Sequence, residues 1–227
     1  RRLKWEHHFG LSNLKKVSIT LTSLKKEKLK KIKKEISKLL DPYIYSYDNQ
    51  AIEQVVGDLL IKNNLTISTC ESCTGGKLAD IITKNPGSSN YYKGSIVAYS
   101  DKIKNKLLKI SKKDIEEKGA VSRQIASDMV KKTSDIMKTD VCVSITGYSG
   151  PGSDKKNKML GVVYISVKVF NSIVTNKYRL PYEREKHKSL SCWIALNNIR
   201  LILSKKWDDN IYKLKWLIRN IIVNLGY

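Results

Sequence analysis

Leu65-Thr66-Ile67-Ser68-Thr69-Cys70-Glu71-Ser72-Cys73-Thr74-Gly75-Gly76 is the stretch on which the fold turns. Leu65 to Thr69 is short and rich in β-branched residues, the composition of a strand. It runs without a spacer into Glu71 to Gly76, and Leu78, Ile81 and Ile82 then keep helical spacing. A strand that turns through glycines into a helix is the unit of α/β domains, whose ligands sit at strand ends. The turn also suits a nucleophile. It exposes the Ser72 hydroxyl, its glycines admit a substrate, and helix-start N–H groups can hold an oxyanion or phosphate. On these residues alone, an ordinary serine helix cap is the simpler reading.

Working outward, a helix is expected from near Asp48, with Ile52, Val55, Val56, Leu59 and Leu60 as its buried stripe and Asn63-Asn64 closing it. Downstream, Pro86-Gly87-Ser88-Ser89 reads as a turn, Gly94 to Tyr99 as a strand and Lys102 to Leu108 as a short helix. Ser122 suits the cap of a helix over Arg123–Met137. Val141 to Ile145 is an apolar strand that ends in the glycine loop Thr146 to Gly152. Gly161 to Val169 and Val174 to Leu180 read as further strands, and Glu185 to Leu203 as a long helix. Mixed strands and helices with glycine loops at strand ends predict an α/β fold, a three-layer α/β/α sandwich with a mixed sheet. Helices are added at both ends. Leu24, Leu29, Ile32, Ile36, Leu39 and Leu40 form one stripe before Asp41-Pro42, with Ser23 as its cap, and read as a docked accessory helix. Ile211, Leu214, Leu217, Ile218 and Ile221 form another. The expected division is a basic extension over residues 1–48, the main domain over 49–206 and a helical extension over 207–227.

With 227 residues, 41% of them hydrophobic, the chain can bury a real core. No apolar run approaches the roughly 18–20 residues of a membrane span. The net charge of +22 would ordinarily suggest nucleic acid, but 36 of the 43 basic residues are Lys. Nucleic-acid sites rely heavily on Arg forks. Residues 1–40 alone hold 13 basic and three acidic residues, or +10 of the +22. A solvated lysine-rich surface is the better reading, and it is compatible with an anionic small molecule. Four cysteines in this length do not make a disulfide framework, so a reducing, cytoplasmic setting is the default. The chain begins at Arg1 rather than Met, which leaves room for a removed targeting segment.

A serine nucleophile needs a base. The only histidines are His7 and His8 in the basic arm, and His187 in a lysine-rich helix where a surface position is expected. A Ser-His-Asp triad is therefore poorly supported. A lysine kept neutral can serve instead, but composition does not select one among 36. Cys70-x-x-Cys73 also admits a redox pair, and the four cysteines a zinc site, though no second close pair exists.

Selection comes from five motifs in fixed order. They are Thr69 to Gly76; Pro86-Gly87-Ser88-Ser89; Gly94 to Tyr99-Ser100-Asp101-Lys102-Ile103-Lys104; Gly119-Ala120-Val121-Ser122; and Ser144 to Gly152 followed by Gly161-Val162-Val163-Tyr164. Together they resemble the C-terminal domain of the competence-damage-inducible protein CinA, the family that includes bacterial nicotinamide mononucleotide deamidase. The resemblance covers about residues 49–203. It implies hydrolysis of the nicotinamide carboxamide to a carboxylate with release of ammonia, with no metal or cofactor, a small-molecule nucleotide as substrate and a homo-oligomeric assembly. By resemblance Ser72 is the nucleophile, Lys104 its paired base, and Tyr99 a tyrosine that activates or orients the pair. Thr74, Gly75, Gly76, Thr146 and Gly147 fall in the substrate loops, with backbone N–H groups near Gly75-Gly76 as oxyanion donors. Arg184 falls at a phosphate contact.

The chain departs from the family pattern in its loops. The usual Gly-Ile-Ala-Gly-Pro is Gly147-Tyr148-Ser149-Gly150-Pro151, and the usual Lys-Pro-Val-Gly is Lys158-Met159-Leu160-Gly161. The usual Gly-Asp-Arg is Tyr182-Glu183-Arg184, with Lys188 in place of a later arginine. These changes lie in the expected substrate loops. They keep open a second reading, a non-catalytic or retuned pyridine-nucleotide-binding protein.

Overall fold

Strand β1 (Ile67–Glu71) is buried along its whole length, as its β-branched run predicts. The computed structural model describes residues 21, 26–41, 43–151, 159–180 and 183–205. The expected basic arm, the Ser23 cap and the helical tail over 207–227 lie outside these residues. β1 pairs in parallel with β2 (Tyr92–Val97) on one side and β3 (Val141–Gly147) on the other. β4 (Val162–Val169) and β5 (Ser172–Arg179) continue the sheet antiparallel, giving the order β2-β1-β3-β4-β5. The sheet is mixed, as expected.

Helices cover both faces. On one side α2 (Ile52–Lys62), α3 (Lys77–Thr83) and α7 (Arg184–Leu203) close a core with Ile67, Val143, Ile145, Val163 and Ile165 from the sheet. On the other lie α4 (Asp101–Leu108), α5 (Lys112–Lys118) and α6 (Arg123–Met137), around Cys70, Leu108, Ile115, Ile125 and Met129. Strand alternation divides the two cores. The α6 face of the sheet is unusually polar, and its groups are paired. Ser144 Oγ donates to Ala126 O at 2.6 Å, Ser68 meets Thr139 at 2.7 Å and Ser166 meets Thr175 at 2.7 Å. Buried hydroxyls with partners cost little, so this face keeps α6 in register without a fully apolar contact.

Several boundaries shift. α2 starts at Ile52 rather than near Asp48, because Gln54 Oε1 accepts the Ala51 N–H at 2.9 Å and fixes the first turn there. α5 had no counterpart in the sequence reading; Ser111 caps it, accepting the Asp114 N–H at 2.9 Å. The N-terminal helix α1 (Lys26–Leu40) forms; Leu29, Ile32, Ile36 and Leu40 of its stripe are half-buried, none is fully buried, and Leu39 is 77% exposed. The segment after it docks. The Tyr45 and Trp193 rings meet edge to face at 6.3 Å, and Arg200 Nη1 donates to Ile44 O at 3.4 Å.

Candidate active site

The turn after β1 is organised by Glu71 rather than by Ser72. Glu71 is fully buried, and its carboxylate accepts the N–H groups of Gly76 (3.0 Å), Leu78 (3.0 Å) and Ala79 (2.9 Å). These are the donors that a helix start leaves unpaired, so Glu71 is the cap of α3 and complements its dipole. The chain can fold back this far because Gly75 and Gly76 sit at φ of +62° and +95°, conformations that side chains resist. The serine-cap reading of Ser72 therefore falls: among the described residues, Ser72 Oγ meets only Lys104 Nζ, at 3.5 Å. The N–H groups expected as oxyanion donors already have acceptors in this turn. The Gly76 N–H serves Glu71, and the Gly75 N–H donates to Ser72 O at 3.1 Å. In this turn the Cys73 and Thr74 N–H groups make no backbone hydrogen bond among the described residues.

Lys104 comes from α4, whose start is fixed by the Ser100 hydroxyl accepting the Ile103 N–H at 3.3 Å. The lysine is 2% exposed. Its Nζ donates to Tyr99 O at 3.2 Å and to Asp101 Oδ1 at 3.4 Å, besides Ser72 Oγ. Three acceptors match the three N–H bonds of an ammonium, which is how a buried lysine becomes tolerable.

The other expected site residues are brought to the same strand ends but are used differently. Tyr99 gives Lys104 its carbonyl, not its phenol. Its ring is 57% exposed, and its hydroxyl takes a hydrogen bond from Arg184 Nη2 at 3.1 Å. Arg184 Nη1 donates to Gly150 O at 2.7 Å, so the guanidinium bridges α7, the 147–151 loop and Tyr99. Thr146 is fully buried, and its hydroxyl donates to Ala120 O at 2.9 Å, bracing β3 against the segment before α6. Gly147 ends β3 where a Cβ would meet Val162 O at 2.8 Å and Val163 Cβ at 2.9 Å; the pairing with β4 needs glycine there. Thr74 is 1% exposed, and its Oγ1 has no partner among the described residues. The Tyr182 and Lys158 departures lie outside the described residues.

The roles of Glu71, Asp101, Ser149 and His187 escaped the sequence reading. His187, expected on the surface, is fully buried, with Nδ1 2.9 Å from Ser149 Oγ. Burial pushes its pKa below the usual histidine value. A signal existed: Ile199, Ala195, Ser191 and His187 recur every four residues on the buried face of α7. The redox reading of Cys70-x-x-Cys73 fails on geometry, because the two side chains belong to opposite cores of the sheet. Both thiols are free, and burial pushes them up, to about 12 for Cys70 and about 11 for Cys73, whereas a redox cysteine is exposed and acidic. Among the described residues no three His, Cys, Asp or Glu side chains gather as a metal site, and no helix is long and apolar enough to cross a membrane.

Known proteins share this architecture. The family model of the CinA C-terminal domain matches residues 49–203. A CinA-like protein of Fusobacterium nucleatum is 39% identical over 183 residues, covering 80% of this chain and 44% of that protein. A CinA-like protein of Prochlorococcus marinus (strain MIT 9515) is 37% identical over 184 residues, covering 80% of this chain and 42% of that protein. The chain thus spans less than half the length of these curated relatives. Among solved structures, a competence-damaged protein (CinA) superfamily protein from Escherichia coli superposes with a TM-score of 0.63 at 27% identity, covering 72% of this chain and 97% of that one. One from Klebsiella pneumoniae 700603 superposes with a TM-score of 0.66 at 24% identity, covering 70% and 100%, and supports the fold. By sequence, motif order and architecture, the chain belongs to the CinA C-terminal domain family.

Proposed function

We propose that the chain is an amidohydrolase that converts nicotinamide mononucleotide to nicotinate mononucleotide and ammonia through a Ser72–Lys104 pair. The observation that carries this reading is a lysine 2% exposed whose Nζ lies 3.5 Å from the hydroxyl of a serine in a strand-to-helix turn. With all three N–H bonds directed at acceptors, Lys104 becomes a base for Ser72 only after a proton leaves it. Asp101, 60% exposed at 3.4 Å, offers that proton a route to solvent. Neutral Lys104 then takes the Ser72 proton, and Oγ attacks the carboxamide carbon. The Cys73 and Thr74 N–H groups are the donors left to receive the oxyanion. The C–N bond breaks as Lys104 returns the proton to the leaving nitrogen, ammonia departs, and water hydrolyses the acyl-Ser72 to the carboxylate. In this reading Arg184 exchanges its Tyr99 contact for the phosphate of the substrate.

An ammonia-release assay across nicotinamide mononucleotide, free nicotinamide and the dinucleotide tests the substrate. The expected result is turnover of the mononucleotide ahead of the other two; equal turnover of free nicotinamide would remove any role for a phosphate contact. One observation favours the second reading, a retuned or non-catalytic pyridine-nucleotide-binding protein. The loop after β3 carries Tyr148 and Ser149 where the family pattern has isoleucine and alanine. Calorimetric binding of the mononucleotide without ammonia release would select that reading.

A further inference from the structure

Behind the Ser72–Thr74 turn runs a buried polar line that the chemistry above does not use. Ser149 is 5% exposed, and its Oγ lies 2.9 Å from Nδ1 of the fully buried His187. Burial pushes the Cys73 thiol up and the Ser149 hydroxyl pulls it the other way, which sets this loop beside the residue next to Ser72. One turn earlier on α7, Arg184 holds Gly150 O at 2.7 Å. The 147–151 loop is thus tied to α7 at two successive residues, once through a side chain and once through the backbone. A buried imidazole is costly unless it is paired, and among the described residues His187 bears on the Gly161 backbone as well as on Ser149. Among the described residues its side-chain partner is Ser149. The family pattern has alanine at this loop position, so the hydroxyl is a departure of this chain.

We propose that Ser149 and His187 form a latch. His187 acts through Ser149 to seat the 147–151 loop against Cys73, and so sets how tightly the site takes its substrate without touching the reacting atoms. His187 is a positioning residue in this scheme. The effect on substrate rests on the amidase reading; the seating of the loop does not.

The test uses the full chain with Ser149→Ala, His187→Leu, the double variant, and His187→Asn, whose amide can stand where Nδ1 stood. The first readout is iodoacetamide labelling resolved cysteine by cysteine. Each single variant is expected to raise Cys73 labelling roughly ten-fold, the size one hydrogen bond supports, with Cys142 and Cys192 unchanged. The double variant labels no faster than the faster single variant, since the two share one interaction, and His187→Asn returns toward wild type. The second readout is kinetic. KM for nicotinamide mononucleotide rises about ten-fold in the single variants while kcat stays within about two-fold, the pattern of lost binding rather than lost chemistry. Unchanged Cys73 labelling, labelling of all four thiols together, additive single effects or an unchanged KM overturns the latch. A wild-type chain that releases no ammonia defeats the amidase reading alone, and the labelling pattern then decides the latch by itself.

Discussion

Glycine at 147 shows how a single residue ties the fold to the site. It closes β3 beside the loop that carries Ser149, with no room for a methyl group against Val162 O. Gly147→Ala is expected to cost about 1–3 kcal/mol of stability, the range for forced overpacking, measured by urea midpoint. His187 gives the pH dependence. Its folded pKa is lowered, so the unfolded chain binds the proton more readily. The neutral buried ring therefore contributes stability that is fully present above the unfolded value, about 6.5, and is lost as pH falls below it toward the folded pKa. Wild-type unfolding free energy should drop between pH 7.5 and pH 5.5, and His187→Asn should flatten that drop; parallel profiles would contradict the assignment. At this scale the sequence disclosed Ser72 and Lys104 only through motif order. Nothing local marks one lysine among 36, and the 3.5 Å contact joins residues 32 apart. Glu71, Asp101, Ser149 and His187 went unread because their roles depend on which face they turn to, which only tertiary packing decides.

Among the elements, α3 depends on a carboxylate from outside the helix. Glu71→Gln keeps one acceptor oxygen but sets an NH2 against an N–H of the helix start. It is expected to lose more than about 2 kcal/mol, in the range for charge-assisted hydrogen bonds, and to lower kcat by loosening Ser72. A variant of wild-type stability and rate would show that the cap is dispensable. Asp140 plays the comparable part at the start of β3, where Oδ2 accepts the Thr66 N–H and Oγ1–H, each at 2.8 Å. The Thr66 N–H hydrogen bond comes first among the causes that lower its pKa. Asp140→Ala should cost about 1.5–3 kcal/mol at neutral pH. The depressed carboxyl contributes stability present above the unfolded pKa, about 3.9, and lost as pH falls through the still lower folded value, so the gap to wild type narrows there. Most elements were legible because their stripes are dense, as over Arg123–Met137. α5 was not, because Ile115 is its one buried residue and a single apolar position has no period.

For the molecule as a whole, the sandwich was legible because strands, glycine loops and helices alternate along the chain, whereas the strand order depends on long-range pairing that local pattern does not encode. α1 fully buries none of its residues, while Ile44 and Tyr45 are held by α7. Leu39→Ala on α1 is therefore expected to leave the melting temperature nearly unchanged, and Tyr45→Ala on the linker to lower it by several degrees, on the scale of about 1–2 kcal/mol for a chain of this size. Equal melting temperatures for the two variants would contradict the docking of the linker.

The central claim joins the two residues that the fold brings from β1 and α4. Ammonia release from nicotinamide mononucleotide, measured side by side for wild type, Ser72→Ala and Lys104→Ala at equal folded concentration, tests it most directly. Release by wild type is expected, with none detectable from Ser72→Ala and a loss of at least about 100-fold in Lys104→Ala, the scale of a missing general base. Full release by both variants would contradict it.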